Sequence, residues 1–323
     1  MKAMVMRALG DPSRLQAATL PDPEPGTNEI AIAVEVIGCN WADVLICQGK
    51  YQVKPELPFS PGSEVAGHVA ALGPGVTGFK VGQRVAAQLS YGGYASHVCA
   101  DVRRVQLVPD GVPLEDACGL GIAYQTAYLA LADRARLSAG ETLLVHAAAG
   151  GVGLATLQVG LALDANVIAG ASAEKLELCL QHGAHAAVDT RAPDWPAQVR
   201  ALTDQRGADV IAESVGGDVF EGSLKCIAWA GRLVVVGFSS GTIPSAAMNR
   251  VMLKHISLIG LNLGGYHEND PKLLRSATEA LYDLYQLGRL RPVISASYPL
   301  SRAPEALKEL AERRTVGKLL LIP

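Results

Sequence analysis

Aromatic residues make up only 5% of this 323-residue chain, and charged residues only 18%. What remains is rich in Ala, Val, Leu and Gly, the composition of buried parallel strands and closely packed helices. Basic clusters are missing as well. Lys and Arg number 28 against 31 Asp and Glu, a net charge of −3, and no Lys/Arg cluster goes beyond a pair or so. Without a basic stripe there is no electrostatic footprint for nucleic acid or for an anionic membrane surface. The six cysteines, Cys39, Cys47, Cys99, Cys118, Cys179 and Cys226, form no CxxC pair. In a chain this long they read as reduced thiols, which excludes a disulfide frame and a cysteine zinc cage. The segment "MKAMVMRALGDPSRL" meets an acid and a proline before any apolar stretch of signal-peptide length, so the expectation is a cytoplasmic protein. There is no internal repeat and no low-complexity segment.

The length favours two domains. Up to about residue 120 the chain is strand-like and punctuated by turns: "EIAIAVEVIGCN" alternates, and "PGSEVAGHVAALGPGVTGFKVGQRVAA" holds three short β-patterned runs. This half predicts a small, irregular, mostly antiparallel barrel. From Tyr124 the texture changes. "TLLVHAA", "NVIAGA", "AAVDT", "ADVIAES", "GRLVVVGF" and "ISLIGLNL" read as strands, with "GLATLQVGLALD", "AEKLELCLQHGA" and "DVFEGSLKCIAWA" as helices between them. That alternation predicts βαβ units in a doubly wound parallel sheet. A helix is expected over Pro271–Leu287, and "GKLLLIP" suits an edge strand returning to the first domain. The expected domains are 1–122 with 267–323, and 123–266.

Between Leu143 and Leu163 there is no Asp, Glu, Lys or Arg. A membrane span needs about 20 apolar residues in one helix. Here Gly150, Gly151 and Gly153 cluster in the first half and would break it. A strand, the turn A-x-G-G-V-G over Ala148–Gly153 and then a helix instead form the context of a dinucleotide-binding turn. Gly151 would let the backbone approach the phosphates, and Gly153 would let the helix pack closely on the strand. The other reading is a glycine-rich core turn with no ligand. NAD-preferring sites place an acid at the end of the second strand. Here that strand ends at Ala171, followed by Ser172 and, one turn on, Lys175. A hydroxyl and a lysine would hold a 2′-phosphate, so the expectation is NADPH. Lys175 as a plain surface lysine is the alternative.

"GFSSG" (Gly237–Gly241) fits the G-x-S-x-G nucleophile elbow, with His267 and Asp270 downstream. An elbow needs a helix to start at once, whereas "TIPSA" follows and the His precedes the Asp. A loop is the better expectation.

"GCNWADVLICQGKY", "LPFSPGSEVAGHVAALGPGVTGFKVGQRV", "GGYASH", "LVHAAAGGVG" and "RRTVGKLLLIP" together resemble the zinc-free quinone oxidoreductase branch of the medium-chain dehydrogenase/reductase superfamily. The resemblance spans essentially the whole chain. It implies an α/β protein with a GroES-like irregular β-barrel domain, a Rossmann doubly wound domain, a cleft between them and a homodimer joined through the Rossmann sheet. In the zinc-dependent relatives a cysteine stands at the position of Asn40 and a histidine at that of Ser63, and a four-cysteine lobe falls between Val85 and Tyr94. Amide and hydroxyl are poor zinc ligands, so no metal is expected; Cys39 and His68 are decoys beside those positions. Without a Lewis acid, alcohol oxidation is difficult and reduction of an electron-poor acceptor is favoured. The implied activity is NADPH-dependent reduction of quinones or activated alkenes. Asn40, Asp43 and Tyr51 would line the substrate side. Tyr51 would bind the acceptor oxygen or pack its ring, Asp43 would hold the loop, and Asn40 would contact substrate or cap its own turn.

For the cofactor the resemblance implies Thr126, the turn Ala149, Gly150, Gly151, Val152 and Gly153, then Ser172, Lys175, Thr190, Ser214, Val215, Phe238, Ser239 and Leu261. Arg313 would approach the 2′-phosphate or adenine. The family often has a tyrosine where Thr190 stands. Two other functions fit the same residues: reduction of α,β-unsaturated aldehydes, ketones or thioesters, and a structural or RNA-binding role that retains NADPH.

Overall fold

A computed structural model describes all residues, 1–323. The chain divides into two units, Met1–Ile122 with Pro292–Pro323, and Ala123–Arg291. Residues 267–291, expected with the first unit, belong to the second. The helix Pro271–Gln286 explains why: Leu274 and Ala277 pack on Leu129, and Gln125 Nε2 donates to Thr278 Oγ1 at 2.9 Å.

In the first unit, β1 (Lys2–Val5) pairs with β2 (Gln16–Thr19) as a separate ribbon. The main sheet uses β3 (Glu29–Gly38), β4 (Glu64–Leu72), β5 (Arg84–Gln88), β6 (His97–Asp101), β7 (Val105–Leu107), β14 (Ile294–Pro299) and β15 (Lys318–Ile322). Its order is β14-β15-β3-β4-β5-β7, antiparallel except for the parallel pair β14–β15. β4 pairs along the length of β3, while β15 meets Ile37 and Gly38 and β6 meets residues 29–33. β15 therefore lies inside the sheet, not at the edge expected for "GKLLLIP"; β14 is the edge. Burial of Leu319, Leu320 and Leu321 accounts for that position. Ile30, Ile32, Ile37, Val65, Val85 and Tyr94 are among the side chains of its core.

The second unit carries a six-stranded parallel sheet of β8 (Thr142–His146), β9 (Asn166–Ala171), β10 (Ala186–Asp189), β11 (Ala208–Glu213), β12 (Ile227–Val235) and β13 (Ser257–Gly260). The order is β10-β9-β8-β11-β12-β13. All five residues of β8 are buried, as a central strand covered on both faces must be. One expectation fails here. "IAWA" is not the end of a helix: the helix closes at Cys226, and Ile227 already pairs with Ala208 in β12. The register then slips, Val210 pairing with Arg232, and left-handed Ala230 (φ 59°) turns Trp229 outward. After β12 no helix begins until Met248, so "GFSSG" is a loop and not an elbow.

The order of this sheet reverses between β8 and β11. In open α/β sheets such a switch point opens a crevice beyond the carboxyl ends of the strands.

Candidate active site

Nearly all the expected cofactor residues fall at those carboxyl ends. After β8, Ala147 turns left-handed (φ 49°) and the Gly150 N–H donates to its carbonyl at 2.9 Å. The helix Gly151–Ala162 starts at once, with the Leu154 N–H on Gly150 O at 2.8 Å. A Cβ on Gly153 would collide with the Ala147 carbonyl and lie 2.8 Å from Ala148 Cα, so only glycine lets the helix close onto this turn. Ala149 and Gly153 are buried, while Gly150, Gly151 and Val152 are partly exposed. The first N–H groups of a helix have no intrahelical acceptor and carry the positive end of its dipole. No acid stands in this first turn to occupy them. The turn fits a pyrophosphate.

The neighbouring strand ends are tied to it. Ser214 Oγ donates to the His146 carbonyl at 3.3 Å. Glu213, buried at the end of β11, accepts the Val215 and Gly216 N–H groups at 2.6 and 2.9 Å. The N–H groups of Ser239 and Ser240 donate to the carbonyls of Ser214 and Val215, and that of Leu261, just past β13, to Val235. Phe238 between them is exposed. Below the turn, the Nε2 of buried His146 lies 2.8 Å from Ser223 Oγ, and its ring meets Trp195 edge-on. Burial holds the His146 pKa below its usual value against the opposing pull of Glu213, which keeps the imidazole neutral. Glu213 and Ser223 are supports that no local motif announces. Thr126 is almost wholly buried, in the short helix Gln125–Tyr128.

Beyond β9, Ser172 Oγ donates to Glu174 Oε1 at 2.7 Å, and Arg191 Nη1 stands 3.6 Å from the same oxygen. Burial lowers the pKa of Lys175, with Glu174 opposing. Thr190 Oγ1 turns back to the Ala171 carbonyl at 3.5 Å. So a hydroxyl and two cations gather here around one exposed carboxylate. Arg191 and Glu174 were not among the expected residues. Arg191 is legible only as the neighbour of Thr190, and Glu174 as the residue between Ser172 and Lys175.

In the first unit Asn40 precedes the helix Trp41–Cys47, and Asp43 lies inside its first turn. The Asp43 carboxylate is 0% exposed and accepts from Asn40 N (2.8 Å), Ser63 Oγ (3.3 Å) and Tyr94 OH (3.1 Å). Burial pushes its pKa up to about 6, against the pull of the Asn40 N–H, Lys318 and the Tyr94 hydroxyl. Such a group holds the loop and cannot touch a ligand. Tyr51 is half-buried against the core, and burial, with Asp43 nearby, raises its phenol pKa, so it stays protonated. The Asn40 carboxamide meets a buried ion pair: Nδ2 donates to Glu64 Oε2 (3.1 Å) and, at 3.4 Å, to Gly38 O, while Lys318 Nζ donates to Oδ1 (2.8 Å). Glu64 and Lys318 are themselves paired at 1% and 5% exposure. Tyr94, Glu64 and Lys318 were missed in the sequence, although a lysine opening the apolar run "KLLLI" is a signal that it needs a buried partner. Arg313 follows the helix Ala303–Ala311, exposed and left-handed (φ 57°).

Residues 26–134 match the alcohol dehydrogenase GroES-like domain family, and residues 151–279 the zinc-binding dehydrogenase family. The chain is 40% identical over 299 residues to the quinone oxidoreductase-like protein 2 homolog of Nematostella vectensis, covering 92% of this chain and 82% of that protein. It is 36% identical over 325 residues to the quinone oxidoreductase of Pseudomonas aeruginosa, covering 100% and 99%. The structure of the Escherichia coli quinone oxidoreductase complexed with NADPH superposes with a TM-score of 0.92 at 30% identity, each chain covered completely. With its GroES-like and Rossmann-type parts, the chain belongs to the quinone oxidoreductase branch of the medium-chain dehydrogenase/reductase superfamily.

Proposed function

We propose that this protein is an NADPH-dependent quinone reductase that works without zinc. The observation that carries the cofactor is the Gly153 turn, closed so tightly that a single Cβ would break it, at the switch point of a parallel sheet. NADPH, when bound, supplies the hydride. The helix Gly151–Ala162 would hold its pyrophosphate, and Ser172, Lys175 and Arg191 its 2′-phosphate; Thr126, Ser214, Val215, Phe238, Ser239, Leu261 and Arg313 are the remaining proposed contacts. Relatives whose structures hold NADPH support this choice.

Support for zinc independence comes from the donor chemistry. At the two positions where zinc relatives carry Cys and His stand an amide and a hydroxyl, both hydrogen-bonded within the protein. Asn40 and Tyr51 are the proposed substrate contacts. A phenol that remains protonated suits binding of an acceptor oxygen and transfer of a proton to it.

The proposal includes a homodimer. β13 is an open edge with one neighbour, β12, and Trp229, Ile243, Met248, Met252 and Leu253 are exposed in its unit, Trp229 at 71%. An unpaired edge with such apolar cover invites a second copy. A cytoplasmic location is part of the same reading; no helix is long and apolar enough to cross a membrane.

The test is NADPH oxidation by metal-chelated protein with an ortho-quinone, an enal and an enoyl-CoA in parallel. Preference for the quinone supports the proposal. Preference for either alkene assigns the protein to double-bond reduction. Tight NADPH binding with no acceptor-dependent oxidation assigns it a non-enzymatic role.

A further inference from the structure

An asparagine amide offers two N–H donors and two carbonyl lone pairs. At Asn40 both N–H donors are engaged, Nδ2 donating to Glu64 Oε2 and to the Gly38 carbonyl, while Oδ1 accepts from Lys318 Nζ and the carboxamide also caps the Asp43 N–H at the start of its helix. The direction of this amide is fixed by charge. Turned over, it would point its oxygen at the Glu64 carboxylate and its NH2 at the Lys318 ammonium, two repulsions in place of two charge-assisted bonds. Neither charged group can move aside. Glu64 is 1% and Lys318 5% exposed, and the second Glu64 oxygen is taken by the Ile122 N–H. Burial alone would lower the Lys318 pKa, but Glu64, Cys118 and Asp43 together outweigh it and the group stays charged. The Asn40 backbone is pinned separately, its N–H on Asp43 Oδ2. Asn40 itself is partly exposed, unlike every group that holds it.

We propose that Glu64 and Lys318 are positioning residues that lock the Asn40 carboxamide with both N–H donors occupied, so that Asn40 cannot donate a hydrogen bond to a ligand. Its consequence for catalysis rests on the quinone reductase reading. Asn40 therefore cannot donate to a quinone carbonyl. The donor to the acceptor oxygen is left to Tyr51.

Two measurements test this. The first is independent of activity: the side-chain NH2 resonances of selectively labelled Asn40, assigned by their loss in Asn40→Asp. Slow solvent exchange in the wild type, abolished in Lys318→Met, is expected; free exchange in the wild type overturns the lock. The second is kinetic. Glu64→Gln should lower kcat/KM for the quinone at least about tenfold, with the NADPH dissociation constant within about twofold of wild type. The swap Asn40→Asp/Glu64→Gln returns the carboxylate to Lys318 and a donor to position 64, leaves position 40 without a free donor, and should recover most of the loss. Failure of the swap to recover activity in a folded protein, or wild-type kcat/KM in Glu64→Gln, overturns the proposal. A wild type that reduces no quinone but shows the protected Asn40 amide refutes the quinone reading and leaves the lock standing.

Discussion

Asp43 yields a stability prediction whose sign is unusual for a carboxylate with three hydrogen-bond donors. Its folded-state pKa, about 6 against an ordinary 3.8, is dominated by burial. Below 3.8 both folded and unfolded chains carry the proton, and this group's penalty is absent. Between 3.8 and about 6 the folded chain binds the proton and the unfolded chain does not, so stability falls as pH rises. Above about 6 the full penalty remains, about 3 kcal/mol at 1.36 kcal/mol per pKa unit. Asp43→Asn lacks this titration, and acids common to both proteins cancel in their difference. On lowering the pH from 7 to about 4, the wild type should therefore gain about 2.4 kcal/mol relative to Asp43→Asn, the rest following below 3.8. That equals about 5–10 °C in the melting temperature of a unit of this size. Differential scanning calorimetry of both proteins across that range measures it. A difference independent of pH, or one that moves against the wild type in acid, would mean that the donors from Asn40, Ser63 and Tyr94 outweigh burial and would refute the reasoning.

Three other perturbations follow from the same geometry. Gly153→Val places a branched side chain against the Ala147 carbonyl and should weaken NADPH more than about tenfold in a fluorescence titration; unchanged binding would show that the turn is not the cradle. Lys175→Ala should cost NADPH about tenfold in affinity and leave NADH within about twofold, since only the former has a 2′-phosphate; equal losses would place Lys175 elsewhere. Met252→Asp with Leu253→Asp should convert a dimer to the 33.8 kDa monomer by light scattering, with no change in NADPH affinity; a dimer that survives would move the interface.

Much of this fold is written in local pattern. The strands around "TLLVH" and "NVIAGA" and the turn at Gly150–Gly153 stand where periodicity and glycine placement put them. What local pattern does not carry was misplaced. "KCIAWAGRL" is apolar at both periods, so the change from helix to strand at Ile227 depends on pairing with Ala208 rather than on any local preference. The helix Pro271–Gln286 looks the same whichever unit it packs on; Leu129 and Gln125, about 150 residues earlier, decide the matter. The same holds within the candidate site. Asn40 and Asp43 could be named from one short motif, but the pair that orients Asn40 joins Glu64 to Lys318 across 254 residues, a separation no spacing rule spans. Arg191 and Glu174 meet only because β10 lies beside β9.

The central claim is the proposed NADPH-dependent reduction of a quinone. It is tested most directly by a single-turnover measurement on metal-chelated protein preloaded with NADPH and mixed with an ortho-quinone, following the loss of nicotinamide absorbance. The account predicts one equivalent oxidised per site in a fast phase that Tyr51→Phe slows without altering NADPH affinity. Bound NADPH that persists in the presence of the quinone would contradict it.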